Sequence, residues 1–263
     1  SYGNPTESEY VEFVVENLRP IVDNLKPGGS VCLNVSNDIF VTGSPGRSMY
    51  LERLGLAIHD ELGLQLMDRL VWHNPSKCPG PTQWASKTRQ QLRASYEHIL
   101  WYCNEPRLAE SNNRRVLEPH TERMQQLIAA GGEARHRQSS DNAYTVRPGS
   151  FGNKTEGRIP TNILRFSHTC QSQLAYKKKA REAGLPPHGA PYPIRLARFL
   201  IEFLTEKQDL VVDPFGGSMS TGVAAEELGR RWLCTEAMFE YVQGSQSRFT
   251  NAEWNEDFLA LAS

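Results

Sequence analysis

Two acidic residues, each placed directly after an apolar run, are the side chains whose spacing best suggests chemistry. Asp213 ends the run Leu210–Val212 and precedes a glycine turn, Gly216-Gly217; Glu236 follows the run Trp232–Thr235. This pattern predicts a strand, a tight loop, a helix and a second strand, with an acid at the carboxyl end of each strand. In open α/β sheets that edge is where nucleotide-like ligands bind.

The glycine turn alone is a weak signal, because many α/β proteins use glycine there only to turn the chain. The nicotinamide-type fingerprint G-x-G-x-x-G is absent, as is the Gly-Lys-Ser/Thr of a phosphate-binding loop. Glu236 could accept hydrogen bonds from both ribose hydroxyls of an adenosine, and Asp213 with the loop amides could orient a methionine ammonium or carboxylate. The pattern favours S-adenosylmethionine, with a solvated strand end as the alternative for Glu236.

Three further features have a structural and a functional interpretation. The segment from His188 to Pro193 is either a helix-entry turn, since Pro is favoured in the first turn, or a lid over the methionine end of the cofactor. Trp72 and Lys77 suit the rim of a flipped-base pocket, although a partly buried Trp with a surface Lys is favoured on these residues alone. Arg47 could hold a phosphate, but a solvated loop Arg is the commoner case.

Periodicity places these motifs on alternating strands and helices. Apolar spacing predicts helices over residues 7–25, 49–62 and 192–204, and strands over 31–35, 66–72 and 97–102. Strands alternating with helices of this length predict a mostly parallel sheet. The pattern breaks from about residue 105 to 160, where a short helix at 121–129 is plausible. That span is polar, and its cations suit a DNA backbone better than a solvated loop: Arg107, Arg114, Arg115, Arg123, Arg135, Arg137, Arg147, Lys154 and Arg158.

Size and composition are those of an ordinary globular protein. The chain has 263 residues, enough for one large domain or one domain with a sizeable insertion. A net charge of −1 neither indicates nor excludes nucleic-acid binding, because phosphate contact needs only a local basic face. Five cysteines show neither metal-like pairing nor a disulfide spacing, which predicts a reducing cytoplasm and no metal. No membrane-spanning run or signal-peptide pattern is present.

Taken in order, the motifs resemble the β-class DNA amino-methyltransferases, and within them the PvuII-type cytosine-N4 branch. The similarity runs along essentially the whole chain. It is carried by Tyr2-Gly3-Asn4 with Glu9-Tyr10-Val11, Leu25 to Ser30, Trp72 to Lys77, Arg123-Met124, and Asp213 to Gly222. In that family the target-amine half precedes the DNA-recognition insertion and the cofactor half comes last, which would explain why the glycine loop lies so late in the chain.

The resemblance implies an α/β fold, a Rossmann-like methyltransferase sheet in permuted motif order with an inserted DNA-recognition region. It assigns residues 1–104 to the target-amine half, 105–160 to the insertion and 161–263 to the cofactor half. The implied cofactor residues are Asp213, Phe215, Gly216, Gly217, Ser218 and Thr221 on the methionine side, Glu236 at the ribose, and His188 and Pro191 in the closing segment. The candidate DNA-binding residues are Arg47, Trp72, Lys77, Arg147, Lys154 and Arg158.

This chain departs from the family pattern in three places. Gly189 stands where Pro usually follows the His, and Ser220-Thr221 stands where two Thr are common. More importantly, the catalytic Ser/Asp/Asn-Pro-Pro-aromatic motif is missing: the only Pro-Pro is Pro186-Pro187, which does not fit. We therefore expect that motif, with a strand before it, to lie upstream of Ser1. No Pro-Cys is present, so carbon-5 cytosine methylation through a cysteine nucleophile is disfavoured.

The sequence thus predicts a site-specific methyltransferase that acts on cytosine N4 in duplex DNA with the target base flipped out. It would work in restriction-modification or alone, in a bacterial-type cytoplasm at the nucleoid. Adenine N6 is the alternative within the class. An inactive DNA-binding relative and a methyltransferase acting on RNA or protein are the alternatives outside it, and the oligomeric state stays open.

Overall fold

The computed structural model of the chain describes residues 6–139 and 143–249. Its helices are α1 (Glu7–Val22), α2 (Tyr50–Leu62), α3 (Glu122–Ala129), α4 (Gln171–Glu182), α5 (Ile194–Leu204), α6 (Ser220–Glu227) and α7 (Phe239–Ser245). Its strands are β1 (Ser30–Val35), β2 (Gln65–His73), β3 (Tyr96–Cys103), β4 (Arg137–Gln138), β5 (Thr145–Val146), β6 (Ile163–Arg165), β7 (Leu210–Asp213) and β8 (Arg231–Cys234).

The central sheet has the strand order β1-β3-β2-β6. Strand β3 runs antiparallel to both β1 and β2, whereas β2 and β6 are parallel. The prediction of a mostly parallel sheet is therefore wrong for this part of the fold. The reason is the connection from β2 to β3, which contains only a short π-helical turn, Thr82–Lys87, and no crossover helix. Without a crossover the returning strand must reverse direction.

Strands β7 and β8 form a separate parallel pair, joined by α6 as a strand–helix–strand unit. Asp213 pairs with Cys234 in the register of this ladder, so both strands end at the same edge. Within the described part of the chain, β1 pairs on one edge with β3, and β7 pairs on one edge with β8. The opposite edge of each of these two strands has no partner strand among those residues.

Helices cover both faces of the central sheet. On one face α1 and α2 bury Leu18, Leu54 and Ile58 against the strand residues Val31 and Leu100. On the other face α5 packs Leu196 against Trp72, Trp101 and Leu164. The opposite side of α5 packs against α6 through Ile194, Ala197, Ile201, Val223 and Ala224. Helix α5 thus joins the central sheet to the unit that carries the glycine loop, giving an α/β fold with helices on both faces.

Local sequence explains the ends of the first two helices. Thr6 and Glu9 form a reciprocal capping box at the start of α1, which satisfies amides that the helix leaves without partners. Gly63 ends α2 in the left-handed conformation, with φ of 68°. The predicted helices and strands up to residue 103 match the structure to within about three residues. The motif Tyr2-Gly3-Asn4 lies outside the described residues.

Residues Asn112–Thr161 form a compact unit of their own, separate from Ser1–Ser111 with Asn162–Ser263. The unit contains α3, capped by Thr121, and the β4–β5 hairpin. It has a close backbone approach at Gly132, where an added Cβ would lie 2.5 Å from the Gly149 carbonyl oxygen. Its limits lie near those predicted for the insertion, while its role in DNA recognition stays a prediction.

None of the helices in the described ranges combines the length and apolar character needed to cross a membrane.

Candidate functional site

The loop between β7 and α6 needs glycine at two successive positions. A Cβ on Gly216 would lie 2.8 Å from Met219 Sδ and 3.1 Å from the Thr235 carbonyl oxygen. Gly217 has a φ of +54°, and a Cβ there would lie 3.2 Å from His188 Nε2. The adjacent Met219 is a buried non-glycine residue with φ of 57°. Such left-handed conformations outside glycine are typical of loops held in a functional shape.

The Glu236 carboxylate is held in place by backbone amides. The Gly217 N–H donates to Oε2 at 2.8 Å, and the Met238 N–H donates to Oε1 at 2.9 Å. One donor comes from the glycine loop and the other from the turn after β8. A carboxylate fixed in this way, with each oxygen able to accept more than one hydrogen bond, is suited to a pair of vicinal hydroxyls such as those of a ribose.

Asp213 has a different environment, because two side-chain hydroxyls donate to it in addition to a backbone amide. The Phe215 N–H donates to Oδ1 at 3.0 Å. The Thr221 hydroxyl and the Tyr192 hydroxyl, the latter at 3.3 Å, donate to Oδ2. These contacts tie the end of β7, the start of the glycine loop and the first turn of α6 together. Tyr192 was not among the predicted site residues, although it lies in the segment predicted to be a lid.

The segment His188–Pro193 lies against the glycine loop and is held from behind by α4. The buried Gln173 donates to the Pro191 carbonyl at 3.0 Å and to the Tyr192 carbonyl, and the His188 N–H donates to the Tyr176 hydroxyl at 2.9 Å. The His188 ring packs edge-on to Tyr241, with 5.0 Å between the ring centroids. Burial, opposed by the charge of Glu236, lowers the pKa of His188, which favours its neutral form near pH 7.

Ser218 and Thr221 also lie in this site, and Arg248 is a neighbour that the sequence prediction missed. Ser218 is 2% exposed, and its carbonyl accepts a hydrogen bond from the Arg248 guanidinium. The same guanidinium donates to Ser172 in α4 at 3.0 Å. Burial lowers the pKa of Arg248, though an arginine stays charged at physiological pH. No sequence motif marks Arg248, because its role depends on the tertiary approach of α4 to the loop.

Eight of the nine predicted cofactor residues are therefore brought together at the ends of β7 and β8: Asp213, Phe215, Gly216, Gly217, Ser218, Thr221, Glu236 and His188. The ninth, Pro191, accepts a hydrogen bond from Gln173 in α4 and precedes Tyr192, whose hydroxyl reaches Asp213. Phe215 is 40% exposed, with its ring centroid 5.9 Å from that of Phe13 in α1. At Gly216 and Gly217 the loop packs directly against Met219, Thr235 and His188, beside the fixed Glu236 carboxylate. An ionised carboxylate accepts hydrogen bonds from vicinal hydroxyls such as those of a nucleoside. Over the described ranges no group of His, Cys, Asp and Glu could hold a metal.

Two predicted DNA-binding cations, Arg47 and Lys77, both pair with Asp38. Arg47 lies 2.9 Å and Lys77 3.1 Å from this carboxylate. Lys77 also pairs with Glu97 at 3.2 Å, and Asn34 at the end of β1 donates to that carboxylate at 3.2 Å. This network joins the loop after β1, the loop after β2 and the start of β3. Phosphate contact by either cation would have to compete with these carboxylates.

Trp72 lies in the core. It is 3% exposed, its indole N–H donates to the Phe166 carbonyl at 2.9 Å, and its ring lies parallel to that of His168. This environment agrees with the structural interpretation that the sequence favoured, a Trp packed in the protein interior and not at the rim of a flipped-base pocket. A buried indole offers no face to a flipped base, so Trp72 does not contribute a stacking surface for DNA.

The other three predicted DNA-binding residues lie in the 112–161 unit. Arg147 and Lys154 are exposed. Arg158 forms an ion pair with Glu118, and both side chains are nearly half exposed. Exposed cations of this kind can reach a phosphate backbone.

Comparisons with known proteins agree with one another. The family model described as DNA methylase (N6_N4_Mtase) matches residues 2–247. The type II methyltransferase M.PvuII of Proteus hauseri is 33% identical over 97% of this chain and 75% of its own length. M2.DpnII of Streptococcus pneumoniae is 38% identical over 90% of this chain and 66% of its own length.

Solved structures give the same result. The structure described as PvuII DNA methyltransferase (cytosine-N4-specific) superimposes with a TM-score of 0.71 and 29% identity, covering 99% of this chain and 77% of that one. An M1.HpyAVI–SAM complex has a TM-score of 0.53 at 16% identity, covering 93% of this chain and 84% of that one, which is a likeness of fold.

Proposed function

The chain belongs to the DNA methylase family, and from this premise we propose that it transfers a methyl group from S-adenosylmethionine to the exocyclic N4 of cytosine in a specific duplex DNA site. The observation that carries the proposal is the 33% identity to M.PvuII over 97% of this chain, together with the superposition on a structure described as cytosine-N4-specific. Other relatives are type II methyltransferases, which supports a place in restriction-modification.

S-adenosylmethionine supplies the methyl group when it is bound. The residues present fit it, because backbone amides hold the Glu236 carboxylate ready for the ribose hydroxyls, at the edge where β7 and β8 both end. Phe215, Ser218 and Thr221 line the methionine side, and the His188–Pro191 segment closes over it. These roles are proposed because Phe215 and Thr221 contact Asp213, the His188 ring lies next to Gly217, and Ser218 follows Gly217 in sequence.

The target amine has to reach the methyl group, and a base inside a duplex cannot, so we propose that the cytosine is flipped out of the helix. The predicted Ser-Pro-Pro-aromatic motif would accept hydrogen bonds from the amine and stack on the base. The edges of β1 and β7 that lack a partner strand among the described residues are where a strand carrying that motif could pair. Asn34 and the Asp38–Lys77–Glu97 network lie near the carboxyl end of β1.

DNA binding is assigned to exposed cations that can neutralise phosphates. Arg147 and Lys154 are the first candidates, because both are exposed on the compact 112–161 unit. Arg158, Arg47 and Lys77 would contribute less per residue, since each already pairs with a carboxylate.

Adenine N6 is the second candidate target, because the matching family model covers both N6 and N4 methyltransferases. A labelled-methyl assay separates the classes of activity. The protein as encoded in full is mixed with S-adenosylmethionine carrying a labelled methyl group and with duplex DNA, RNA or protein acceptors. We expect label in duplex DNA, with competition only by duplexes that contain the recognised site. Label in RNA or protein alone, or in none of the acceptors, would refute the proposal.

A further inference from the structure

The Tyr192 side chain joins two parts of the cofactor site that are far apart in sequence. Its hydroxyl donates to Asp213 Oδ2 at 3.3 Å and also contacts the Thr221 hydroxyl. Its backbone carbonyl accepts a hydrogen bond from the buried Gln173 in α4. The backbone of Tyr192 is therefore held by α4, while its hydroxyl contacts the Asp213 carboxylate at the start of the glycine loop.

Asp213 depends on these donors, because it lies at the end of a strand and fixes the loop that follows. Its Oδ1 accepts from the Phe215 N–H at 3.0 Å, and its Oδ2 accepts from Thr221 and Tyr192. Phe215 leads into the two close-packed glycines, and Thr221 lies in the first turn of α6. A change in the orientation of this carboxylate therefore moves both ends of the loop.

We propose that Tyr192 is a positioning residue: its hydroxyl orients the Asp213 carboxylate and the Thr221 side chain, and through them holds the glycine loop in the form that binds the cofactor. The inference rests on the proposed function only for the identity of the ligand. In this proposal Asp213 fixes the loop. The segment His188–Pro193 supports the loop and also covers the ligand.

The chemistry of the phenol suits this part. Burial, followed by the negative charge of Asp213, raises the pKa of Tyr192 well above its ordinary value of 10, so the hydroxyl stays a donor throughout the physiological pH range. A neutral donor adds no charge to a site that must receive a charged cofactor. Phenylalanine fills the same space without this donor, which makes Tyr192→Phe a clean test.

The matched control is Tyr102→Phe. Tyr102 is 2% exposed, and its hydroxyl donates to the Gly55 carbonyl at 3.0 Å in the core formed by α1, α2 and the central sheet. Both substitutions remove one tyrosine hydroxyl and its hydrogen bonds. A loss of stability alone would affect the two variants alike, whereas a positioning role affects only Tyr192→Phe. Thr221→Val is a second variant, because it removes the other hydroxyl that reaches Asp213 Oδ2.

The experiment has two measurements on the full-length protein. Hydrogen–deuterium exchange without cofactor should show faster exchange of the peptide spanning residues 213–222 in Tyr192→Phe and Thr221→Val than in wild type and Tyr102→Phe. Calorimetric titration with S-adenosylmethionine should give binding about 3- to 10-fold weaker for Tyr192→Phe and unchanged for Tyr102→Phe. This loss is smaller than the full value of a hydrogen bond to a carboxylate, because Tyr192 acts on the cofactor only through the loop.

The outcomes separate this inference from the proposed function. If Tyr192→Phe matches wild type both in the exchange rate of the 213–222 peptide and in cofactor affinity, Tyr192 does not position the loop. If wild type itself fails to bind S-adenosylmethionine, the proposed function fails, while the exchange comparison still decides whether Tyr192 orders the loop.

Discussion

At the scale of single residues, two acids at equivalent strand ends have different hydrogen-bond partners. Asp213 and Glu236 both follow an apolar strand, and the sequence pattern assigned both to ligand contact. In the structure Asp213 accepts from Phe215, Thr221 and Tyr192, which ties the loop together. Glu236 accepts from two backbone amides that hold it beside Gly217. The partners of each carboxylate, which spacing alone cannot reveal, support the proposals that Asp213 fixes the loop and that Glu236 binds the ligand.

The ribose role of Glu236 leads to the first prediction. Glu236→Ala removes the acceptor for two hydroxyls and should weaken S-adenosylmethionine binding about 10- to 100-fold, the range for hydrogen bonds to a charged group. Calorimetric titration measures the dissociation constant, and Glu240→Gln in α7 is the control for a nearby change of charge. Cofactor affinity equal to wild type in Glu236→Ala would remove Glu236 from the site.

At the scale of elements, hydrophobic periodicity predicted most of the first half of the chain and missed α4. Helix α2 buries Leu54 and Ile58 completely, and its apolar stripe is visible in the sequence. Helix α4 instead buries Gln173, Tyr176 and Ala180 and leaves Leu174 56% exposed. Its buried face is partly polar because it donates to and accepts from the segment 188–192. A helix stabilised by such tertiary contacts carries no amphipathic signal.

The direction of β3 and the position of Arg248 likewise depend on contacts between elements and not on local apolar periodicity. The apolar pattern of β3 shows that the strand is buried but not which way it runs. Strand β3 runs antiparallel to β2 because the connection between them contains no crossover helix. Arg248 reaches both Ser218 and Ser172 through the packing of distant segments. Motif reasoning identified the glycine loop, Glu236 and the His188–Pro193 segment, whereas their supporting residues depend on contacts between elements.

The second prediction compares one chemical change in two helices. Leu54→Ala in α2 removes a completely buried side chain and should lower the free energy of unfolding by about 2–5 kcal/mol. Leu174→Ala in α4 removes a side chain that is more than half exposed and should change it by no more than about 0.5 kcal/mol. Urea unfolding followed by circular dichroism measures both. Equal effects would show that the burial assigned to α2 or the exposure assigned to α4 is wrong.

At the scale of the whole molecule, the candidate cofactor residues and the main candidate DNA-binding cations lie in different units of the chain. The larger unit carries the sheets and the glycine loop, and residues 112–161 form the smaller unit with exposed cations. The near-neutral total charge conceals this local distribution, since phosphate binding needs cations only where the DNA lies.

The third prediction concerns those cations. Arg147→Gln should weaken DNA binding and reduce the slope of log affinity against log salt by about 1, because one phosphate contact is lost. Arg158→Gln should have a smaller effect, since in free protein Arg158 pairs with Glu118. Filter binding or fluorescence anisotropy over a salt series measures the slope, with Arg53→Gln on α2 as the control. A slope unchanged by Arg147→Gln would exclude that contact.

The central claim is methyl transfer to cytosine N4, and the identity of the methylated base tests it most directly. Duplex DNA that has accepted label from S-adenosylmethionine in the presence of the full-length protein is digested to nucleosides, which are separated and identified by mass spectrometry. The account predicts that the label appears in N4-methylcytosine. Label in N6-methyladenine or 5-methylcytosine, or no label in any nucleoside, would contradict it.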